Sequence, residues 1–254
     1  MTAPQRRRAR LSQYTPWIFR DYMTNQGPST IVVVLLVGFL SVMPVIQGVT
    51  GAATKMGQVP VETARRILEA MLPPLAFLGT FFATNGIIAN DRKLGYYRFL
   101  FAKPVSPPAY YAMTFGVYGV GLLLISIALM GIWAVTVRPM FPIEILVIIP
   151  LMYLAYGGIG FLLSAAWRFD WLSLVTVLLI ANVAWAVWGN AEGLRHWILY
   201  VLPPVHRAND VYRLRFEGPP GVIPWSSIAW LGGYGLACFV LGMIVVRKRS
   251  LGTS

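Results

Sequence analysis

The chain has 254 residues, of which 57% are hydrophobic and only 12% are charged, whereas a soluble domain carries roughly 25% charged residues. The apolar residues stand in long blocks and do not alternate, which excludes a lipid-spanning barrel and predicts a polytopic helical membrane protein. The net charge of +12 does not indicate a nucleic-acid-binding module, because the basic residues stand at the ends of the apolar runs.

The first 29 residues are predicted to form a cytoplasmic tail and an amphipathic lead helix. Four side chains recur at helical spacing on one face: Leu11, Tyr14, Ile18 and Tyr22. With Trp17 and basic side chains as anchors, this spacing predicts a helix over residues 11–24 that lies in the membrane interface. A disordered basic tail is the alternative, and no cleaved signal peptide is predicted.

Six apolar runs follow, at about residues 31–49, 67–89, 112–137, 143–166, 171–188 and 225–246. The sequence therefore predicts one domain over 1–254, with a six-span helical bundle over 30–246 and a cytoplasmic tail over 247–254. Asn85 and Asn182 are the notable polar residues in or near these spans, and we expect their amides to bridge helices by hydrogen bonding.

The distribution of basic residues predicts the orientation. With six spans, 13 of the 21 Lys and Arg residues lie on the side of the two termini and 8 on the other side. By the positive-inside rule, the termini are cytoplasmic. We expect a multi-pass protein of the inner (plasma) membrane.

The loop over residues 189–224 is predicted to lie on the outer side. Its segment "HWILYVLPP" is apolar but too short to cross a bilayer, which favours a re-entrant element before the sixth span. His196 and His206 are interpreted as ordinary loop histidines, and no metal site is predicted.

The sequence contains no recognisable catalytic or nucleotide-binding motif. No lysine is followed by Ser or Thr, as a phosphate-binding loop requires, and no nucleophile–base set stands out. We therefore predict that the chain is not an enzyme, has no catalytic residues and binds no cofactor of its own. Nearly uncharged spans also speak against an ion or proton path, so any powered transport would need a second polypeptide.

The segment "NDRKLGYYRFLFAKPVSPPAYY" over residues 90–111 separates the second and third spans. Helical spacing of its aromatic residues predicts a short helix over 91–104 on the cytoplasmic face, which Pro104 ends. Ser106 and Pro107 then suit the start of the third span. Exposed aromatics beside cations favour a docking surface, and a helix that only rests on lipid headgroups is the alternative.

This segment resembles the first cytoplasmic loop of ABC-2 type transporter permeases. The matching positions are Asp91, Arg92, Gly95, Leu100, Pro104, Val105 and Ser106. Three positions depart from the common pattern, where Tyr96 replaces Thr, Arg98 replaces an acid and Lys103 replaces Ser or Thr. The basic N-terminus, the lead helix, the six spans and the re-entrant element extend the resemblance to nearly the whole chain.

The resemblance implies the permease subunit of an ATP-binding cassette exporter, with a coupling helix in the groove of a cytoplasmic ATPase that binds ATP and Mg. The coupling residues implied are Asp91, Arg92, Gly95, Tyr96, Tyr97, Arg98, Phe99, Leu100, Lys103 and Pro104. The lead helix would brace the ATPase through Trp17, Arg20 and Asp21.

The resemblance also implies a second permease beside the first. We expect a homodimer, since most oligomers are symmetric, with a heterodimer as the alternative. Membrane lipid surrounds the bundle, and no nucleic acid is expected as a partner. The apolar spans favour an amphipathic or lipid-like substrate. Two other functions stay open: a non-transporting membrane anchor for a cytoplasmic partner, and a gradient-driven transporter.

Overall fold

The computed structural model describes residues 13–49, 61–85, 87–88, 91, 106–136, 145–166, 170–189, 193–216 and 223–248. Within these residues the chain is all-helical and forms no strand, as predicted. The helices are α1 (Thr15–Asp21), α2 (Gly27–Val49), α3 (Val61–Thr84), α4 (Pro107–Thr136), α5 (Ile145–Ala166), α6 (Asp170–Trp188), α7 (Leu194–Val201), α8 (Val205–Phe216) and α9 (Trp225–Lys248).

Several of these helices suit a membrane. Among the described residues, four stretches are long and apolar enough to cross one: Thr15–Leu40, Pro107–Val135, Ile145–Ala166 and Trp225–Lys248. Shorter apolar helices cover Ala70–Thr84 and Ser173–Trp188. Helices of membrane length are therefore confirmed for four stretches, and the total of six spans stays a prediction.

The N-terminal helix does not end before the first span. α1 continues through a π-helical turn, Tyr22–Gln26, into α2, whereas the sequence predicts a separate helix over 11–24 that lies in the interface. The amide of Gly27 donates to the carbonyl of Tyr22, one residue further back than in an α-helix. This wider turn makes room for the ring of Pro28, which would meet the preceding turn of a regular helix.

α5 lies at the centre of the bundle and contacts α3, α4, α6 and α9. Three aromatic rings join α4, α5 and α9, since Phe115 and Phe161 lie 4.7 and 4.9 Å from Phe239 between ring centroids. The hydroxyl of Tyr153 in α5 donates to the carbonyl of Phe115 at 2.6 Å. Apolar packing and one buried hydrogen bond thus fix α4 and α9 on α5.

α3 packs between α2 and α5 and contains two consecutive prolines, Pro73 and Pro74. Each proline removes one amide donor from the helix. The neighbours Leu72 and Leu75 are fully buried, so one side of the interrupted turn packs in the core of the bundle.

Two short helices, α7 and α8, precede α9 in the region where the sequence predicts a re-entrant element, and Pro203 separates them from each other. The hydroxyl of Tyr234 in α9 donates to the carbonyl of Val201 at 2.9 Å. Trp185 of α6 stacks on His206 of α8 with ring centroids 3.6 Å apart. The pair is therefore fixed to both α6 and α9, and its depth in the membrane stays a prediction.

Candidate functional site

Residues 13–26, which we call the N-terminal segment, contact the chain on both sides of residues 86–105, the stretch that contains the predicted coupling helix. The side-chain amide of Gln26 donates to the carbonyl of Asn85 at 2.9 Å, immediately after α3 ends. On the other side of the loop, the hydroxyl of Tyr118 in α4 donates to the carboxylate of Asp21 at 3.3 Å. The N-terminal segment therefore joins the end of α3 to the first part of α4.

Apolar packing fixes this segment in place. Tyr22 is fully buried and its ring lies 4.9 Å from the ring of Tyr118. Gly121 makes this approach possible, because a Cβ atom at that position would overlap the ring of Tyr22. Ile18, one turn earlier, is buried in the same core. These contacts favour a segment that moves together with α4.

A tyrosine–carboxylate cluster, comprising Asp21, Asp91, Tyr110, Tyr111 and Tyr118, occupies this region. The side chain of Tyr111 favours the ionised form of the Asp91 carboxyl and lowers its pKa. Burial outweighs this effect and, together with the nearby charge of Asp21, raises the pKa of Asp91 to about 6. The cluster thus brings the start of the predicted coupling helix to α1 and α4, with two acidic groups that interact unfavourably when both are ionised.

α1 also has an exposed side, which faces away from the buried Ile18. Trp17 has 68% of its side chain exposed, and Arg20 is exposed as well. An exposed tryptophan beside an arginine is the composition that dominates binding energy at protein interfaces. An interfacial lipid contact uses the same two residue types, so a protein partner and lipid headgroups both suit this face.

The sequence predicted four site residues that the structure describes. Asp21 and Asp91 come together in the tyrosine–carboxylate cluster, and Trp17 and Arg20 lie on the exposed face of α1. The remaining predicted coupling residues lie outside the described residues: Arg92, Gly95, Tyr96, Tyr97, Arg98, Phe99, Leu100, Lys103 and Pro104.

Sequence reasoning missed the tyrosines of α4. Tyr110, Thr114 and Tyr118 recur every four residues, which places them on one face of a helix. A polar stripe at the start of an otherwise apolar span is the signal that identifies them. Within the described residues, no group of three or more His, Cys, Asp or Glu side chains is arranged to hold a metal ion.

Comparisons of the chain with protein-family models, with curated proteins and with solved structures find no match. A functional assignment therefore depends on the residues of the chain itself. Three parts of the chain are relevant: the loop between α3 and α4, the tyrosine–carboxylate cluster at the start of that loop, and the exposed face of α1.

Proposed function

We propose that the chain is the membrane permease subunit of an ATP-driven exporter, with six spans and both termini in the cytoplasm. The observation that carries this proposal is the motif from Asp91 to Ser106, a charged and aromatic segment between two apolar helices. It resembles the coupling loop of ABC-2 type permeases. A separate cytoplasmic ATPase would bind ATP and Mg, since this sequence has no phosphate-binding loop.

The contacts at the two ends of the loop support a mechanical role. A load on the loop would pass to α3 and α4, which it connects. Through Gln26 and Asp21 the same load would reach α1, and α1 is continuous with α2. ATP-driven closure of two ATPases would in this way move three membrane helices together, as a rigid-body change between two states.

The chemistry of the loop defines its partner. Tyr96, Tyr97, Phe99 and Leu100 would provide the apolar docking contacts. Arg98 stands where the family has an acid, so the groove of the ATPase should be more acidic than usual. Trp17 and Arg20 on the exposed face of α1 would contact the side of the same ATPase. The apolar spans favour an amphipathic or lipid-like cargo.

The test is purification of the chain from its own membranes in mild detergent, with a mass-spectrometric census of copurifying proteins. We expect a stoichiometric ATPase that is lost in the double variant Phe99→Asp and Leu100→Asp. Trp197→Asp is the matched control, because Trp197 is an exposed aromatic on α7, far along the chain from the loop. Absence of an ATPase under several gentle conditions contradicts the proposal.

A charge exchange sharpens the test. Arg98→Glu should release the ATPase or uncouple hydrolysis from transport, and Arg98→Lys should retain most of the complex. Transport is then measured as ATP-dependent movement of a fluorescent lipid in vesicles that contain the purified complex. A stable complex without ATP-dependent movement would favour the membrane anchor, and movement driven by an ion gradient without ATP would favour the gradient-driven transporter.

A further inference from the structure

The short helix α8 begins at the end of the bundle where α6 ends and α9 begins. Trp185, whose ring stacks on His206 of α8, lies three residues before the end of α6, and Ser227, which contacts Arg207, is the third residue of α9. At a rise of ~1.5 Å per residue, both contacts lie within about 5 Å of a helix end. The 24 residues of α9 are longer than a ~30 Å hydrocarbon core, and Trp225 at its first position is 68% exposed. In the proposed bundle, this end therefore lies at the level of the lipid headgroups.

Two opposite charges lie in this first part of α8. Arg207 and Asp210 are three residues apart, which places them side by side on the helix, and both are half-buried. Within the described part of the chain no salt bridge joins either of them to another side chain, and the guanidinium of Arg207 has a single polar contact, at 3.5 Å to the hydroxyl of Ser227. The pKa of His206 lies below its usual value, because burial and the charge of Arg207 outweigh the opposite effect of Asp210. Both charges therefore act on the same small region.

The contact between α6 and α8 has unused hydrogen-bonding capacity. Nε1 of Trp185 and Nδ1 of His206 are enclosed, and neither has a hydrogen-bond partner among the described residues. An enclosed indole N–H without an acceptor is unfavourable. An oxygen acceptor placed beside Arg207 would satisfy this N–H after a small displacement of the Trp185 ring. The region thus combines a cation, a carboxylate and a free donor.

We propose that this end of α8 binds the headgroup of a zwitterionic phospholipid, with the phosphate on Arg207 and the ammonium on Asp210. A guanidinium binds phosphate through two parallel hydrogen bonds, and a primary ammonium has three donors for a carboxylate. Phosphatidylethanolamine carries both groups on adjacent parts of one headgroup, which matches two side chains one helical turn apart. An anionic lipid such as phosphatidylglycerol offers no cation to Asp210 and places its own charge beside that carboxylate. The inference depends on the proposed membrane position of α8 but not on an ATPase partner.

The experiment is native mass spectrometry of the full-length chain in mild detergent, titrated with single phospholipids. Phosphatidylethanolamine should bind about three- to tenfold more tightly than phosphatidylglycerol with the same acyl chains. Arg207→Ala should weaken binding of both lipids about tenfold, and Arg207→Lys should retain part of the affinity, because it keeps the charge but loses the paired hydrogen bonds. Arg247→Ala, at the opposite end of α9, is the matched control and should leave the preference unchanged.

Asp210→Asn is the most specific variant, because it removes the group that only a zwitterion uses. It should reverse the preference, so that phosphatidylglycerol binds at least as tightly as phosphatidylethanolamine, and a protein that has simply lost its fold would not show this reversal. An unchanged preference in Asp210→Asn, or equal effects of Arg207→Ala and Arg247→Ala, overturns the proposal. An excess of inorganic phosphate should not displace the lipid, and displacement would assign the site to free phosphate and overturn the proposal as well. Since no ATPase takes part in this measurement, failure here is distinct from failure of the proposed transport function.

Discussion

Gly158 and Gly235 face each other where α5 crosses α9, and a Cβ atom on Gly158 would overlap the carbonyl oxygen of Gly235. A Cβ atom on Gly235 would in turn overlap the backbone carbonyl of Leu154. The two helices therefore meet backbone to backbone. Such contacts replace the hydrophobic driving force that is absent between helices in lipid.

Gly235→Ala should destabilise the protein by about 1–3 kcal/mol or more, because the added methyl group meets rigid backbone on α5 and not a flexible side chain. Gly233→Ala, two residues earlier on the same helix, adds the same methyl where nothing lies within 4 Å. It should be neutral or slightly stabilising. Thermal unfolding of the detergent-solubilised variants, followed by size-exclusion chromatography, distinguishes them. Equal unfolding temperatures would contradict the close crossing.

Gly121→Ala should loosen the N-terminal segment, because its methyl group would overlap the buried ring of Tyr22. The expected result is faster tryptic cleavage after Arg20 in native-state digestion, since a displaced segment is more accessible to protease. Gly116→Ala on the same helix is the control, as no atom lies within 4 Å of its added methyl. Unchanged cleavage in Gly121→Ala would show that the segment does not depend on this contact.

The hydrogen bond between Tyr118 and Asp21 should contribute about 1 kcal/mol to folding stability. A double-mutant cycle with Tyr118→Phe and Asp21→Ala measures it, because the cycle isolates the coupling of the two side chains from their other contacts. Asn25 also donates to Asp21, at 2.7 Å, so Asp21→Ala alone should cost more than Tyr118→Phe. Strict additivity of the two substitutions would contradict the bond.

Asp91 should make the stability of the protein depend on pH. An aspartate carboxyl titrates near pH ~3.9 in an unfolded chain, whereas burial raises the pKa of folded Asp91 to about 6. The folded state therefore binds the proton more tightly. The stabilisation that this tighter proton binding gives is complete below about pH 4 and is lost as the pH rises through about 6.

The control for this titration is Asp91→Asn. The stability of the natural protein relative to this variant should fall between about pH 4 and 6, by on the order of 2 kcal/mol, and then stay constant to pH 8. The comparison is made by thermal unfolding of both proteins in the same buffers, which removes the effect of other carboxyls. A difference that does not change with pH would show that Asp91 is not buried in this way.

The sequence predicted the helices well where composition changes sharply. The start of α4 at Pro107 follows from Ser106 and the preceding Pro104, and the end of α9 at Lys248 follows from the basic residues that close the last apolar run. These boundaries depend on local chemistry, namely proline geometry and the cost of burying charge. Helix boundaries of this kind can therefore be predicted from a single sequence.

The sequence did not predict features that depend on contacts between distant residues. The sequence predicts a lead helix that ends near residue 24, but a π-helical turn over Tyr22–Gln26 continues the helix into α2. Asp21 and Tyr118 are 97 residues apart, and no pattern in the sequence predicts the hydrogen bond between them. Likewise, the exposure of Asn182 depends on which side of α6 packs on α5, which a helix that is apolar on every side does not reveal.

The two prolines inside α3 have a consequence for motion. A helix that lacks two successive amide donors bends at low cost when it stands alone. Here Leu72 and Leu75, on either side of the prolines, are fully buried, so flexing at this point would pull two leucines out of a packed core. We therefore expect α3 to resist bending at this point, so that a hinge in the proposed transport movement would lie in another part of the chain.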